Sequence, residues 1–288
     1  MDISEFKIKE GKEVKLAHIQ TDSTGKFESK TEAVEKLESN IDRMAELQDK
    51  LYAQDRYSVL IILQAMDTAG KDGIIKHVMK GLNPQGTYVQ SFKQPSAEEL
   101  DHDYMWRVNK HLPERGRIGI FNRSYYEEVL VVKVHDLIKS QQLPVECIND
   151  KIWETRYRQI RDYERYLSEN GTVIVKLFIH ISKEEQKERL LARIEEASKN
   201  WKFSAADIKE RNYWNEYQKC YQEAIQETSS EHAPWYVIPG DKKWFARLAV
   251  SEIVVQTMEK LKLEYPTVSK DQLAILEECR QKLMNEND

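Results

Sequence analysis

Lys71, Asp67 and Arg123 are the side chains best suited to chemistry, and the first two share one short stretch, Gln64-Ala-Met-Asp67-Thr-Ala-Gly70-Lys71-Asp-Gly73. Four residues separate Ala65 from the Gly70-Lys71 pair, which is the spacing of a phosphate-binding loop. Small residues there let consecutive backbone N–H groups wrap a phosphate, and a helix start adds its own unpaired donors. The segment Ala69, Gly70, Lys71, Asp72 and Gly73 is therefore the candidate phosphate cradle, with the Lys71 ammonium reaching terminal phosphoryl oxygens. Two positions depart from the pattern: Ala65 replaces the usual first glycine, and Asp72 stands where a hydroxyl normally meets magnesium. The plain alternative is that Gly70 and Gly73 only shape a surface turn. Asp67 is repelled by bound phosphate unless a metal or proton lies between them, so it points to magnesium or to orientation of an acceptor. A turn aspartate bonding nearby N–H groups is the simpler reading of the same residue.

These residues need a scaffold, and the hydrophobic pattern supplies one. Val59-Leu60-Ile61-Ile62-Leu63 reads as a buried strand running into the loop, and Ile74 to Met79 as the helix leaving it. Upstream, Val34, Leu37, Ile41, Met44, Leu47 and Leu51 recur at helical spacing over 33–54. Further strands are expected over 86–92, 117–121, 172–179 and 234–239, and helices over 96–112, 149–167, 182–197 and 244–263. The apolar run in 125–137 fits strand or helix, and Glu127 and Glu128 near its start favour helix. Alternating strands and helices predict a mainly parallel sheet with helices on both faces. Arg123 follows the third strand and Lys93 the second, so both belong to the carboxyl edge of such a sheet, where open α/β folds bind ligands. Arg189, Arg193, Lys199 and Lys202 sit on or beside a charged segment, 198–228, that reads equally as a flap over the loop or as a solvated hairpin. Together these cations form a candidate track for a polyanion.

Composition narrows the classes. The chain of 288 residues accommodates one large α/β core, preceded by an irregular arm over 1–32 and followed by a terminal helix within 267–288. A net charge of -5 argues against nonspecific nucleic-acid binding as the main role. No apolar run approaches the roughly 18 residues of a membrane span, and the start of the chain lacks a secretory pattern, so a cytoplasmic protein is expected. The three scattered cysteines and seven histidines show no zinc-ligand spacing, and no GxSxG elbow is present.

The loop, together with Asn83-Pro84-Gln85-Gly86, Ser91-Phe92-Lys93, Phe121-Asn122-Arg123-Ser124, Trp201-Lys202-Phe203-Ser204 and Pro234-Trp235-Tyr236, resembles the second family of polyphosphate kinases over about 37–263. The resemblance implies a three-layer αβα sandwich, P-loop kinase-like, with a helical lid. It also implies inorganic polyphosphate as phosphoryl donor, a nucleotide as acceptor, magnesium as cofactor, and assembly into a homo-oligomer. Asp67 resembles the family's magnesium and acceptor carboxylate, Lys71 its loop lysine and Arg123 its phosphate-binding arginine, while Lys202 falls in its flap. Asn122 stands where many relatives carry aspartate. That pattern resembles the subgroup using nucleoside monophosphates as well as diphosphates, which makes AMP and ADP the expected acceptors. An ATP-dependent kinase and a noncatalytic nucleotide- or polyphosphate-binding module are the competing expectations.

Overall fold

The structure, a computed structural model, describes residues 1–286. The apolar run at Val59 becomes the middle of β1 (Ser58–Ala65), and every residue of that strand is buried. It is enclosed because both of its edges are paired. β1 lies between β3 (Ile118–Asn122) and β4 (Thr172–His180), and the five strands run parallel in the order β2-β3-β1-β4-β5. β2 spans Thr87–Ser91 and β5 spans Trp235–Pro239. Strands buried on both faces are continuous apolar runs, which is why four of the five were readable as such.

The helices fall into two layers. α1 (Lys30–Gln54) starts where Ser29 accepts a hydrogen bond from the Glu32 N–H, and it buries Ile41, Met44, Leu47 and Leu51 along one stripe. It packs with α2 (Lys71–Val78) against α10 (Lys243–Glu259). On the other side of the sheet α6 (Ile152–Glu169) packs against α9 (Trp214–Thr228). Side chains alternate along β4, so Lys176 and Phe178 share the face toward α6 and α9, where Phe178 meets Tyr221. The lysine ends in a fully buried ion pair, Lys176 Nζ to Glu164 at 2.6 Å. Tyr125 and Tyr126 both donate to the same carboxylate at 2.8 Å, and Lys176 also donates to the Thr228 carbonyl. This polar knot ties α6 and α9 to the turn that follows β3.

Between these elements lie short pieces that depart from the sequence expectation. The helix expected over 96–112 is divided into α3 (Ala97–Leu100) and α4 (Trp106–Asn109). Ser96 forms the expected capping box with Glu99, but the Asp103 carboxylate accepts from the Met105 N–H and offers the backbone an alternative to helix. The 125–137 run is helical but broken, with a 3₁₀ turn at Tyr125–Val129 and α5 at Val131–Val134. Leu130, at φ −111° and ψ −88°, interrupts it. Downstream, α7 (Lys183–Glu195) leads into a 3₁₀ turn (Ala197–Lys202) and α8 (Ala205–Glu210).

The lid expected over 198–228 is shorter than that, because α9 buries Tyr217, Tyr221, Ala224 and Ile225 in the core. The arm over 1–32 is also more than surface packing. Ile3, Phe6, Val14 and Leu16 are buried, and Ile8 donates to the Trp235 carbonyl while Val237 donates to that of Phe6. The arm thereby covers the free edge of β5. α11 (Lys270–Met284) buries no residue; positions 287–288 of the helix expected within 267–288 lie outside the described residues.

Candidate active site

β1 delivers the chain to a turn that only a residue tolerant of positive φ can make. Gly70 adopts φ +104° as the N-cap of α2, so the first N–H groups of the helix face outward from the carboxyl edge of the sheet. Lys71 opens the helix and folds back, its Nζ donating to the Ala65 carbonyl at 3.0 Å. Burial, and then the neighbouring Arg123 guanidinium, pull its pKa from 10.5 down to about 8 against the pull of Asp67, Glu127 and Asp72.

Arg189 on α7 holds the loop from beneath. Its Nη1 donates to the Ala69 and Thr68 carbonyls at 2.8 and 3.2 Å, its Nη2 to the Gly240 and Asp241 carbonyls at 2.7 and 3.2 Å, and its Nε to Glu185 at 2.6 Å. The side chain is buried and its donors are engaged with protein, so its role here is to shape the cradle. Gln186 adds a bond to the Asp67 carbonyl at 3.2 Å.

Arg123 projects from the end of β3 with φ +64°, an uncommon state for a residue with a side chain. Its backbone N–H donates to Leu63 on β1, and its guanidinium meets Asp67 at 2.9 Å and Glu127 at 3.4 Å. Glu127, foremost, and Asp67 hold the guanidinium firmly protonated against burial. Burial raises the pKa of Glu127, with Arg123 and Lys71 opposing. Asn122 donates to Asp72 at 2.9 Å, which joins the end of β3 to the first turn of α2.

These groups open onto a cleft of about 650 Å³ outside the carboxyl ends of the strands. Eight basic side chains line it against five acidic ones, in a molecule whose net charge is negative. The loop from Asp67 to Gly73, with Asn122 and Arg123, forms one wall. Arg193, Lys199 and Lys202 come from α7 and the turn beyond it. Arg193 also pins the lid, pairing with Asp207 at 2.8 Å and donating to the Lys202 carbonyl. Lys93 does not line the cleft; it is exposed, and its carbonyl accepts from Arg107.

Three site residues escaped the sequence reading. The sequence places Glu127 only near a helix start, yet it is the carboxylate opposite Arg123. Lys243 and Arg247 line the cleft from the first turns of α10, with Arg247 Nη2 just 3.6 Å from where a Cβ on Gly73 would lie. Their four-residue spacing on the helix after the fifth strand was the available signal.

A parallel sheet in this order, a glycine turn and lysine at the first helix after its central strand, and an arginine at the end of the adjoining strand define a P-loop kinase-like protein. The chain belongs to the polyphosphate kinase 2 family, whose model, Polyphosphate kinase 2, matches residues 27–266. It is 51% identical to an ADP-polyphosphate phosphotransferase of Rhodopseudomonas palustris, over 97% of this chain and 98% of that one. It is 44% identical to an AMP/ADP-polyphosphate phosphotransferase of Meiothermus ruber, over 92% and 96%. The crystal structure of Polyphosphate Kinase 2 from Arthrobacter aurescens superposes with a TM-score of 0.90 at 39% identity, covering 99% of this chain and 98% of that one.

Proposed function

We propose that this protein transfers the terminal phosphoryl group of inorganic polyphosphate to AMP or ADP. The observation that carries the reading is the cationic cleft, which extends from the Lys71 loop past Lys199 and Lys202 to Lys243 and Arg247 and suits a chain of phosphates longer than a nucleotide's own. The names of the relatives support the same donor and acceptors.

In the reaction, an oxygen of the acceptor's terminal phosphate forms a bond to the last phosphorus of polyphosphate. The bond from that phosphorus to its bridging oxygen breaks, and the shortened chain leaves with the electron pair. The attacking oxygen is already unprotonated near neutral pH, so positioning and charge neutralisation supply the catalysis. Lys71 and the N–H groups of Gly70 to Gly73 hold the donor end, and Arg123 neutralises the moving phosphoryl group. Asp67 and Glu127 fix the guanidinium in place. Closure of the segment around Lys202 excludes water.

Magnesium belongs to the proposal. Among the described residues no three His, Cys, Asp or Glu side chains converge on one point. One or two carboxylates from Asp67 and Asp72 fit an ion whose remaining ligands are phosphate oxygens and water. Asp67 keeps one carboxylate oxygen out of its contact with Arg123, consistent with that use. Such an ion would neutralise charge on the donor and acceptor phosphates.

We also propose that 33–266 act as one catalytic unit with its lid, and that α11 pairs with a second copy of the chain. The deciding experiment incubates purified protein with magnesium, each nucleotide, and either polyphosphate or ATP. Transfer from polyphosphate to AMP or ADP is expected; transfer from ATP alone, or none from either donor, would defeat the reading.

A further inference from the structure

The lid is held down chiefly by polar contacts. The turn at Ala197–Lys202, α8, and the 3₁₀ turn Arg211–Tyr213 that returns the chain to α9 bury no side chain. A segment with few buried apolar contacts opens locally at small cost. Glu210, the last residue of α8, is tied to the core: it accepts from Tyr217 Oη at 2.7 Å and meets His135 Nε2 at 3.0 Å. Arg211, the next residue, is tied elsewhere. Its Nη1 donates to the Lys183 carbonyl and to Gln186 Oε1, both at 2.8 Å.

Gln186 lies near the start of α7, is 2% exposed, and uses both ends of its amide. The oxygen accepts from Arg211, and the nitrogen donates to the Asp67 carbonyl at 3.2 Å. This orientation is fixed by chemistry, because a guanidinium only donates and a carbonyl only accepts. Asp67 is a sensitive point to hold. Its carboxylate meets Arg123 at 2.9 Å, and the following residue, Thr68, adopts φ +65°, a costly state for a β-branched side chain. Such a backbone persists only where its surroundings over-determine it. Arg189 secures the Thr68 carbonyl to the body of the fold, whereas Gln186 secures Asp67 to the foot of the lid. Asp67, Arg123, Gln186 and Arg211 border one small cavity there.

We infer that Gln186 is a positioning residue for phosphoryl transfer, coupling the seating of the lid through Arg211 to the backbone of Asp67 and so to the aim of Arg123. With the lid seated, Arg211 orients the amide and the amide steadies the loop. With the lid raised, the amide oxygen loses its partner, the side chain turns freely, and the loop relaxes. The donor therefore meets a rigid cradle only beneath a closed lid. The inference rests on the proposed reaction and adds a residue too buried to touch either substrate.

The two arms of the amide are separable. Gln186→Glu still accepts from Arg211 but has nothing to donate to the Asp67 carbonyl, and Arg211→Met cuts the other arm. Hydrogen exchange of the unliganded protein, followed by mass spectrometry and needing no turnover, should be at least threefold faster from Ala65 to Gly73 in both variants. The lid should exchange faster only in Arg211→Met. In transfer from polyphosphate to ADP, well below each variant's melting temperature, Gln186→Met should lower kcat at least tenfold and leave both KM values within threefold. The Arg211→Met/Gln186→Met double variant should be no slower than Gln186→Met, since both act through one link. Loop exchange unchanged in Arg211→Met, or losses in kcat that multiply in the double variant, would overturn the inference. Faster loop exchange in both variants of a protein that phosphorylates no nucleotide would defeat the proposed reaction and leave the link between lid and loop standing.

Discussion

Lys71 is costly to keep charged before substrate arrives. Its pKa of about 8 in the folded protein lies below the ordinary 10.5, so the unfolded chain holds more protons between those values. Stability without ligand should therefore rise with pH across that window, as urea titrations at pH 7.5 and 10 would report. Catalysis should run the other way: kcat/KM for polyphosphate should fall above about pH 8 as the ammonium is lost, and a flat profile to pH 10 would contradict the role given to this group. Lys71→Met should lower kcat by about 100-fold or more and leave the melting temperature unchanged or higher, since it removes a charge that burial opposes. The placement of the loop, Lys71 and Arg123 at the carboxyl edge of the sheet was legible in the sequence because the glycine turn follows the central apolar run and the arginine follows the third strand. Glu127 was not, because its partnership with Arg123 depends on a 3₁₀ turn that periodicity does not reveal.

At the scale of elements, the cradle is only as firm as its support. Arg189 draws the loop after β1, the loop after β5 and α7 together through four backbone carbonyls. Arg189→Met leaves those buried carbonyls without donors and should destabilise the protein by about 3 kcal/mol, seen as a lower denaturation midpoint, and should raise KM for polyphosphate through a loosened loop. Arg193→Met removes a largely buried pair with Asp207, whose side chains are 24% and 18% exposed, and should change KM with a loss of stability smaller than that of Arg189→Met, on the order of 1–2 kcal/mol. The strands were readable because short β-branched runs are bounded by glycine, proline and polar clusters. α3–α4 and the pieces after Tyr125 were not, since an aspartate turn and a non-helical leucine break patterns that still look helical. α9 looked like lid because its charged positions are conspicuous in the sequence, while its buried face becomes evident only against β4.

Over the whole molecule, a positive cleft sits in a body of net charge -5. Screening acts over about 8 Å at physiological salt, so the local field governs the final approach of a polyanion. KM for polyphosphate should rise as salt is raised from 50 to 500 mM, while KM for the nucleotide changes less; equal changes would argue against separate environments for the two. α11 leaves Leu273, Leu276 and Leu283 exposed along one side. If it joins two copies, deletion from Pro266 onward should reduce the mass seen by light scattering, and an unchanged mass would remove α11 from the interface. The buried pair of Glu164 and Lys176 has a different reach. Lys176→Met alone strands a carboxylate in the core and should destabilise by about 3–5 kcal/mol, whereas the Glu164→Gln/Lys176→Met double variant should recover much of it. Descent through single substitutions therefore has to cross a valley at these two positions. Once established, such a pair works as a ratchet in the lineage, passed on together or exchanged together.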